Sequence, residues 1–147
     1  MLSMKAKYTL RALMVMAGHD KKMLASKAIA QEADVPQKFL ETILQVLRQG
    51  GYVDSRRGIF GGYFLAKSPD EIMVGNVIRL MDGPLAPIRC ASVTAYQKCE
   101  DCHDEKKCAI RRVMVEVRNA IADVLDRKSL RDLTALGYFY EDHGGMI

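Results

Sequence analysis

The sequence lacks the long apolar segment that a membrane protein needs. A bilayer-spanning helix requires about 18 consecutive apolar residues, and no run of that length occurs among the 147 residues. The first eleven residues carry Lys5, Lys7 and Arg11, so the continuous apolar region of a secretory signal peptide is missing as well. We therefore predict a soluble, cytoplasmic protein that does not interact with a membrane.

The residue groups on which enzymes depend are also missing. We find no Ser/His/Asp set, no phosphate-binding glycine loop and no paired carboxylates that a pocket would bring together. The three histidines, His19, His103 and His143, lie in unrelated regions. These absences predict that the protein is not an enzyme.

What the sequence does have is a charge that changes sign along the chain. Residues 1–67 carry eleven Lys or Arg against five Asp or Glu, a net charge of +6, and the remaining residues carry eleven against thirteen, a net charge of −2. The hydrophobic content of 49% is sufficient for the core of one domain. A basic first half indicates a polyanionic partner such as nucleic acid, with a merely solvated surface as the alternative.

Three helices are predicted in this basic half. Apolar residues recur at helical spacing from Tyr8 to Gly18, from Lys27 to Ala33 and from Pro36 to Gly50. Ser26 is a plausible N-cap of the second helix, and Pro36 suits the first position of the third. The predicted apolar face of the third helix comprises Phe39, Leu40, Ile43, Leu44 and Leu47. The last two helices, joined by a tight turn, form a helix-turn-helix pattern, although any small helical domain contains such corners.

The segment after the third helix makes the helix-turn-helix interpretation more specific. Tyr52 to Ser55 and Tyr63 to Leu65 are predicted strands, and Arg56 to Gly62 form a glycine-rich tip between them. Glycine lets the tip approach a surface closely, and Arg56 and Arg57 are predicted to project from it. An ordinary surface hairpin is the alternative. A helix-turn-helix followed at once by a basic hairpin predicts a winged helix, in a mainly α fold with a small β-hairpin wing.

The winged-helix interpretation predicts which residues meet DNA. Gln37 and Lys38 occupy the first turn of the third helix, the part of a recognition helix that reaches base edges. Glu41 can accept a hydrogen bond from a cytosine amino group, or it is a surface glutamate without a role. The other predicted contacts are Thr42 beside this face, Arg56 and Arg57 at a minor groove or flanking phosphates, and Lys5, Lys7 and Lys27 at phosphates.

All four cysteines lie in one short polar segment, at Cys90, Cys99, Cys102 and Cys108. Clustered thiols in a cytosolic protein indicate metal binding or redox chemistry, since structural disulfides are rare there. From the spacing we rank an iron–sulfur cluster first and a metal-free disulfide switch second. Zinc ranks third, because zinc sites usually contain two close C-x2-C pairs and this segment has one. His103 is an alternative ligand, although a solvent-facing loop histidine is the commoner case.

A long amphipathic helix of about six turns is predicted from Lys107 to Arg127. Such a helix on a small winged domain more often pairs with its symmetry mate than covers its own core, so we predict a homodimer on a palindromic operator. The predicted organisation is a winged-helix domain over 1–83, a cysteine-bearing sensor loop over 84–108, a dimerisation helix over 107–133 and a tail over 134–147.

Several segments resemble the Rrf2 family of bacterial winged-helix regulators. The similarity runs from about residue 1 to Leu133, and the matching segments are Lys7–Ala12, Val35–Leu44, Gly50–Val53, Ser55–Gly58 and Gly61–Leu65. The resemblance implies a dimeric transcription factor, often a repressor. Some members sense iron–sulfur status, nitric oxide or iron through a cluster, and others control cysteine metabolism without one.

The resemblance also implies roles for particular residues. Glu41 matches the recognition-helix glutamate implicated in discriminating between operator classes, Arg57 lies in the DNA-contacting wing, and the matching segments add Tyr8 and Gly58 to the predicted DNA-binding residues. Cluster-binding members carry three cysteines before the dimerisation helix. Cys102 and Cys108 match the last two of these, and Cys90 or Cys99 would supply the first ligand of a 2Fe-2S or 4Fe-4S cluster.

Overall fold

The computed structural model describes residues 2–137. Its elements are α1 (Met4–Gly18), α2 (Ser26–Ala33), α3 (Gln37–Gln49), β1 (Val53–Arg56), β2 (Gly62–Leu65), α4 (Val74–Asp82), α5 (Ala109–Leu125) and α6 (Leu130–Ala135). The fold is therefore mainly helical with one antiparallel hairpin, as predicted. Within this part of the chain, no helix is long and apolar enough to cross a membrane.

The core lies where α1, α2 and α3 meet. Leu13 of α1, Ile29 of α2 and Leu40 and Leu44 of α3 have no exposed surface. Burial of each such side chain stabilises the fold by about 1.5–3 kcal/mol relative to leaving it in water. Leu130 of α6 belongs to the same cluster. The chain thus returns to the winged-helix body after α5.

The hairpin is fixed to this body by a third stretch of chain. β1 and β2 pair from Val53 opposite Leu65 to Arg56 opposite Gly62. The N–H of Leu24 donates to the carbonyl of Tyr63 at 2.9 Å, and the N–H of Tyr63 donates to the carbonyl of Leu24 at 2.8 Å. These two bonds anchor the wing to the segment that leads into α2.

The helix starts differ from the sequence prediction for local reasons. α1 begins at Met4 rather than Tyr8, because the Ser3 hydroxyl accepts a hydrogen bond from the N–H of Ala6 and caps the helix there. Ser26 is the first residue of α2 and not its cap; Ala25 holds the cap position. Pro36 likewise lies at the cap position of α3, one residue before the helix.

Phe39 was predicted to lie on the buried face of α3, and this was wrong. Its side chain is 59% exposed, whereas Leu40, Ile43 and Leu44 are buried. Each residue turns a helix by about 100°, so once these three positions face the core, Phe39 falls beyond the edge of the stripe. Its ring centroid instead lies 6.2 Å from that of Tyr8 on α1.

The C-terminal region also differs. α5 has 17 residues, fewer than five turns, where about six were predicted. A second helix, α6, begins within segment 107–133 and ends beyond it, because Ser129 and Asp132 form a capping box and Leu130 is buried. The N–H of Leu130 donates to the carbonyl of Ile72 at 2.7 Å. Most of the predicted tail, from residue 138 onward, lies outside the described residues.

Candidate DNA-binding surface and cysteine cleft

The exposed face of α3 carries the polar residues predicted for it. Gln37, Lys38, Glu41 and Thr42 are all exposed, and they begin at the first residue of the helix. The buried leucines and isoleucine of α3 hold this face outward. A helix N-terminus displayed in this way has the geometry with which recognition helices enter a major groove.

α1 contributes to the same surface. Lys5 and Tyr8 line a cleft of about 500 Å³ together with Phe39 and Thr42 of α3. Tyr8 is half-buried there, and the guanidinium carbon of Arg11 lies 5.8 Å from its ring centroid. Sequence analysis missed Phe39 as part of this surface, and only its place at the start of the apolar stripe could have indicated it.

The remaining predicted DNA contacts are exposed at other places. Lys7 lies on α1 and Lys27 on α2. Arg57 and Gly58 follow the first strand of the wing, and Gly58 has a φ of +106°.

Arg56 does not project from the wing tip as predicted. It is the last residue of β1 and pairs with Gly62. Its guanidinium carbon lies 5.9 Å from the ring centroid of Phe64, on the neighbouring strand. The hydrogen-bonded register extends one residue further than the sequence pattern predicted, so Arg57 is the arginine at the tip.

All four cysteines line one cleft of about 510 Å³. Cys90 lies in a short 3₁₀ turn, Arg89–Ala91, and is buried, which a polar loop did not predict; the other three thiols are half-buried. A hydrogen bond with Cys90, together with burial and neighbouring negative groups, raises the pKa of the Cys99 thiol. The fold therefore brings together thiols that are up to 18 positions apart in the chain.

Cys108 occupies a special position in this cleft. It is the N-cap of α5, and its sulfur accepts a hydrogen bond from the N–H of Arg111 at 3.4 Å. A helix N-terminus carries a partial positive charge that favours negatively charged groups. Any chemistry at the Cys108 sulfur therefore acts directly on the first turn of α5.

The donor set suits a metal group, but it is not assembled into a coordination sphere. Four thiols on one cleft are the ligand type that iron–sulfur clusters and zinc require. Within residues 2–137, however, no three His, Cys, Asp or Glu side chains converge on a common centre. The residues present therefore fit such a group by their chemistry, and the loop would have to close around it.

Two arginines tie the cysteine-bearing turn to α5. Arg111 donates from Nε to the carbonyl of Cys90 at 3.0 Å, and Arg118 donates from Nη1 to the carbonyl of Ala91 at 2.5 Å. The seven-residue spacing places both arginines on one face of α5. Sequence analysis missed this contact, and that spacing was the available signal.

The other end of α5 is tied to the winged-helix body. Arg79 of α4 makes two hydrogen bonds to the carboxylate of Asp126, at 2.6 and 2.8 Å. This pairing lowers the pKa of Asp126 and raises that of Arg79. α5 thus connects the cysteine cleft at its start with α4 at its end.

Comparison with known proteins gives one consistent result. The sequence model of the family Rrf2, described as iron-dependent transcriptional regulator, matches residues 2–136. A Rhodobacter capsulatus protein described as a putative HTH-type transcriptional regulator, rrf2-like, is 41% identical over 141 residues, which cover 93% of this chain and 94% of that protein. The HTH-type transcriptional regulator IscR of Pectobacterium carotovorum is 31% identical over 133 residues, covering 90% and 77%.

A solved structure matches over the same range. The structure of CymR of Bacillus subtilis, described as its global cysteine regulator, superposes with a TM-score of 0.77 at 32% identity. The match covers 94% of this chain and 98% of the CymR chain.

Proposed function

The chain belongs to the Rrf2 family of transcriptional regulators, and from this premise we propose that it is a homodimeric, cytoplasmic repressor whose operator binding is controlled by an iron–sulfur cluster. Its relatives are regulators and not enzymes, in agreement with the sequence prediction. The observation that carries the proposal is the cleft on which all four cysteines meet, at the start of α5.

In the proposed complex, α3 enters the major groove. Gln37 and Lys38 approach base edges from its first turn, and Glu41 accepts from a cytosine amino group. Thr42 and Tyr8 lie beside them. The contacts assigned to phosphates or to the minor groove are Lys5, Lys7, Lys27, Arg56, Arg57 and Gly58. The exposure of the α3 face and the net charge of residues 1–67 support this arrangement.

The proposed dimer forms through α5. No residue of α5 is buried, and Ile110, Val113, Val117 and Val124 are 64, 53, 38 and 59% exposed. Their spacing of three, four and seven residues places them along one face of the helix. A second copy would cover this apolar stripe, and the resulting two-fold symmetry requires a palindromic operator with half-sites about 34–36 Å apart, or a multiple of that.

The proposed cluster, 2Fe-2S or 4Fe-4S, would take its ligands from Cys90, Cys99, Cys102 and Cys108. When bound, it supplies a centre whose redox state and integrity report on iron and oxidants. Arg111 and Arg118 hold the Cys90 turn against α5. A change at the cysteines would therefore alter how α5 lies on its partner, and the Arg79–Asp126 pair would pass the change to α4. Binding shifts such an equilibrium by its differential affinity for the two states.

A metal-free thiol switch is the second candidate. Cys90 and Cys99 are both free thiols and line the same cleft. In this mechanism a peroxide oxidises one thiol to a sulfenic acid, and the second thiol then displaces water to form a disulfide. The likeness to a cysteine regulator is also compatible with this reading. A winged-helix module that contacts only protein is a third reading, which the basic first half argues against.

Anaerobic purification separates these candidates. The visible absorption spectrum and the iron, sulfide and zinc content of one sample should show matched iron and sulfide. Single Cys→Ala variants should then lose iron where the cysteine is a ligand, and His103→Ala tests the alternative ligand. Thr94→Ala, at an exposed position of the same loop outside the cleft, is the control that keeps the iron. Colourless protein with free thiols, even after anaerobic reconstitution, would favour the thiol switch, and one zinc per chain would favour a zinc site.

A further inference from the structure

The wing tip ends in two large apolar side chains that the fold does not use. Ile59 is 97% exposed and Phe60 is 92% exposed. Turn positions are usually occupied by Gly, Pro, Asn, Asp or Ser, which solvate well and suit tight turns. Two polar residues would close this hairpin equally well, so folding does not account for an isoleucine and a phenylalanine here.

The turn that presents these side chains is tightly closed. The N–H of Gly61 donates to the carbonyl of Gly58 at 3.0 Å, which places Ile59 and Phe60 at the two central positions of a four-residue turn. A Cβ on Gly61 would lie 2.1 Å from the carbonyl oxygen of Arg56. The turn therefore packs directly on the backbone of β1. The backbone of such a closed turn loses little conformational freedom on binding.

The surroundings of the tip indicate what it meets. Arg57 is exposed directly before the turn, and the Arg56 guanidinium lies along the neighbouring strand. Minor-groove proteins combine cations that contact the groove with apolar side chains that insert between base steps. The wing also belongs to the half of the chain that carries the net charge of +6. These features favour DNA over an apolar protein surface.

We propose that Ile59 and Phe60 form an apolar wedge that enters the minor groove of the operator, packs against deoxyribose and partly unstacks one base step. The wedge favours operators with a flexible pyrimidine–purine step beneath the wing, because such steps unstack at the lowest cost. This inference rests on the proposed DNA-binding function and extends it. Helix α3 recognises base edges, and the wedge distinguishes operators by how easily the base step beneath it is unstacked.

The test compares the wild-type protein with the variant Ile59→Ser/Phe60→Ser, both as the intact chain. The probe is a fluorescein-labelled duplex that the wild-type protein selects from a randomised library. Anisotropy titrations over a range of salt concentrations should show an affinity loss of about fivefold or more, since contact between an aromatic side chain and a base is worth about 1–3 kcal/mol. The salt slope, which is the slope of the logarithm of the binding constant against the logarithm of the salt concentration, should stay unchanged because no phosphate contact is lost.

Three further variants serve as controls. Leu136→Ser replaces an apolar residue that is 81% exposed outside the wing, and it should bind as the wild type does. Arg57→Ala should lower the salt slope by about one. Phe60→Leu keeps an apolar wedge and should retain most of the affinity, which separates loss of the wedge from misfolding of the hairpin. The fluorescence of a 2-aminopurine placed beside the wing site should increase when the wild-type protein binds, because its base step is unstacked. It should not increase with the double serine variant.

The outcomes distinguish this inference from the function on which it rests. A wild-type protein that selects no duplex would overturn both. Wild-type binding that the double serine variant reproduces in full would overturn the wedge alone. So would an affinity loss accompanied by a lower salt slope, or a variant that binds as before but no longer self-associates or no longer adsorbs to anionic vesicles.

Discussion

Substitution of Gly75 by alanine offers a sharp test of the contact between α4 and α5. Gly75 lies in the first turn of α4 and is buried. A Cβ at this position would lie 2.1 Å from Oδ1 of Asp126 and 3.2 Å from a guanidinium nitrogen of Arg79. The Asp126 carboxylate is held in that place by its two hydrogen bonds to Arg79. The carboxylate therefore occupies the space that an alanine methyl group needs.

The expected energy follows from three contributions. In a helix, Gly→Ala is favourable by about 0.5–1 kcal/mol. Here the methyl group must displace the carboxylate of Asp126, which costs about 1 kcal/mol for a partly exposed ion pair. Fitting extra volume into a packed site costs about 1 kcal/mol more. We expect Gly75→Ala to lower the free energy of unfolding by about 1–1.5 kcal/mol.

The effect of Gly75→Ala on the free energy of unfolding should change sign when the carboxylate of Asp126 is removed. In an Asp126→Ala background the two nearest Asp126 atoms are gone and the flexible end of Arg79 is the nearest of the three contacts that remains. Gly75→Ala should then raise the free energy of unfolding by about 0.5–1 kcal/mol. Denaturant unfolding of all four proteins at one concentration, as a double-mutant cycle, should give a coupling of about 2 kcal/mol. An equal stabilisation in both backgrounds would refute the reasoning, because it would mean that Asp126 does not occupy this space.

Three other outcomes are expected. Arg57→Ala should weaken binding to all DNA sequences alike in anisotropy titrations, and unchanged binding would remove the wing from the mechanism. Glu41→Ala should relax sequence preference more than it lowers affinity; a uniform loss across a randomised operator library would contradict that role. Because Arg79 lowers the pKa of Asp126, the pair stabilises the fold above the unfolded carboxyl pKa of about 3.9, and this contribution is lost as the pH falls through the lowered folded value. Below about pH 4, the free energy of unfolding of Asp126→Asn should therefore fall less steeply with decreasing pH than that of the wild type. Identical pH profiles of the two proteins would show that the pair contributes nothing.

The winged-helix fold and the thiol segment were predictable because their signals are local. The stripe from Leu40 to Leu47 identifies a helix from spacing alone, since the apolar period is a property of neighbouring residues. The glycines around Arg57 identify a turn between two strands for the same reason. The grouping of the cysteines is visible in the sequence without any knowledge of the fold. Family membership was predictable too, from the residues of α3 and the wing.

Tertiary structure decided the features that depend on distant contacts. Helix packing places Phe39 outside the core and beside Tyr8. The strand register places Arg56 within β1 and not at the wing tip. The spacing of Arg111 and Arg118 shows that they share a face of α5, but no local pattern identifies the carbonyl of Ala91 as the acceptor of Arg118 or places Asp126 in the space beside Gly75. Such contacts join elements through the packing of the whole chain. The sequence by itself therefore determined the elements and the chemistry they carry, and the tertiary structure determined how the cysteine cleft is connected to the DNA-binding body.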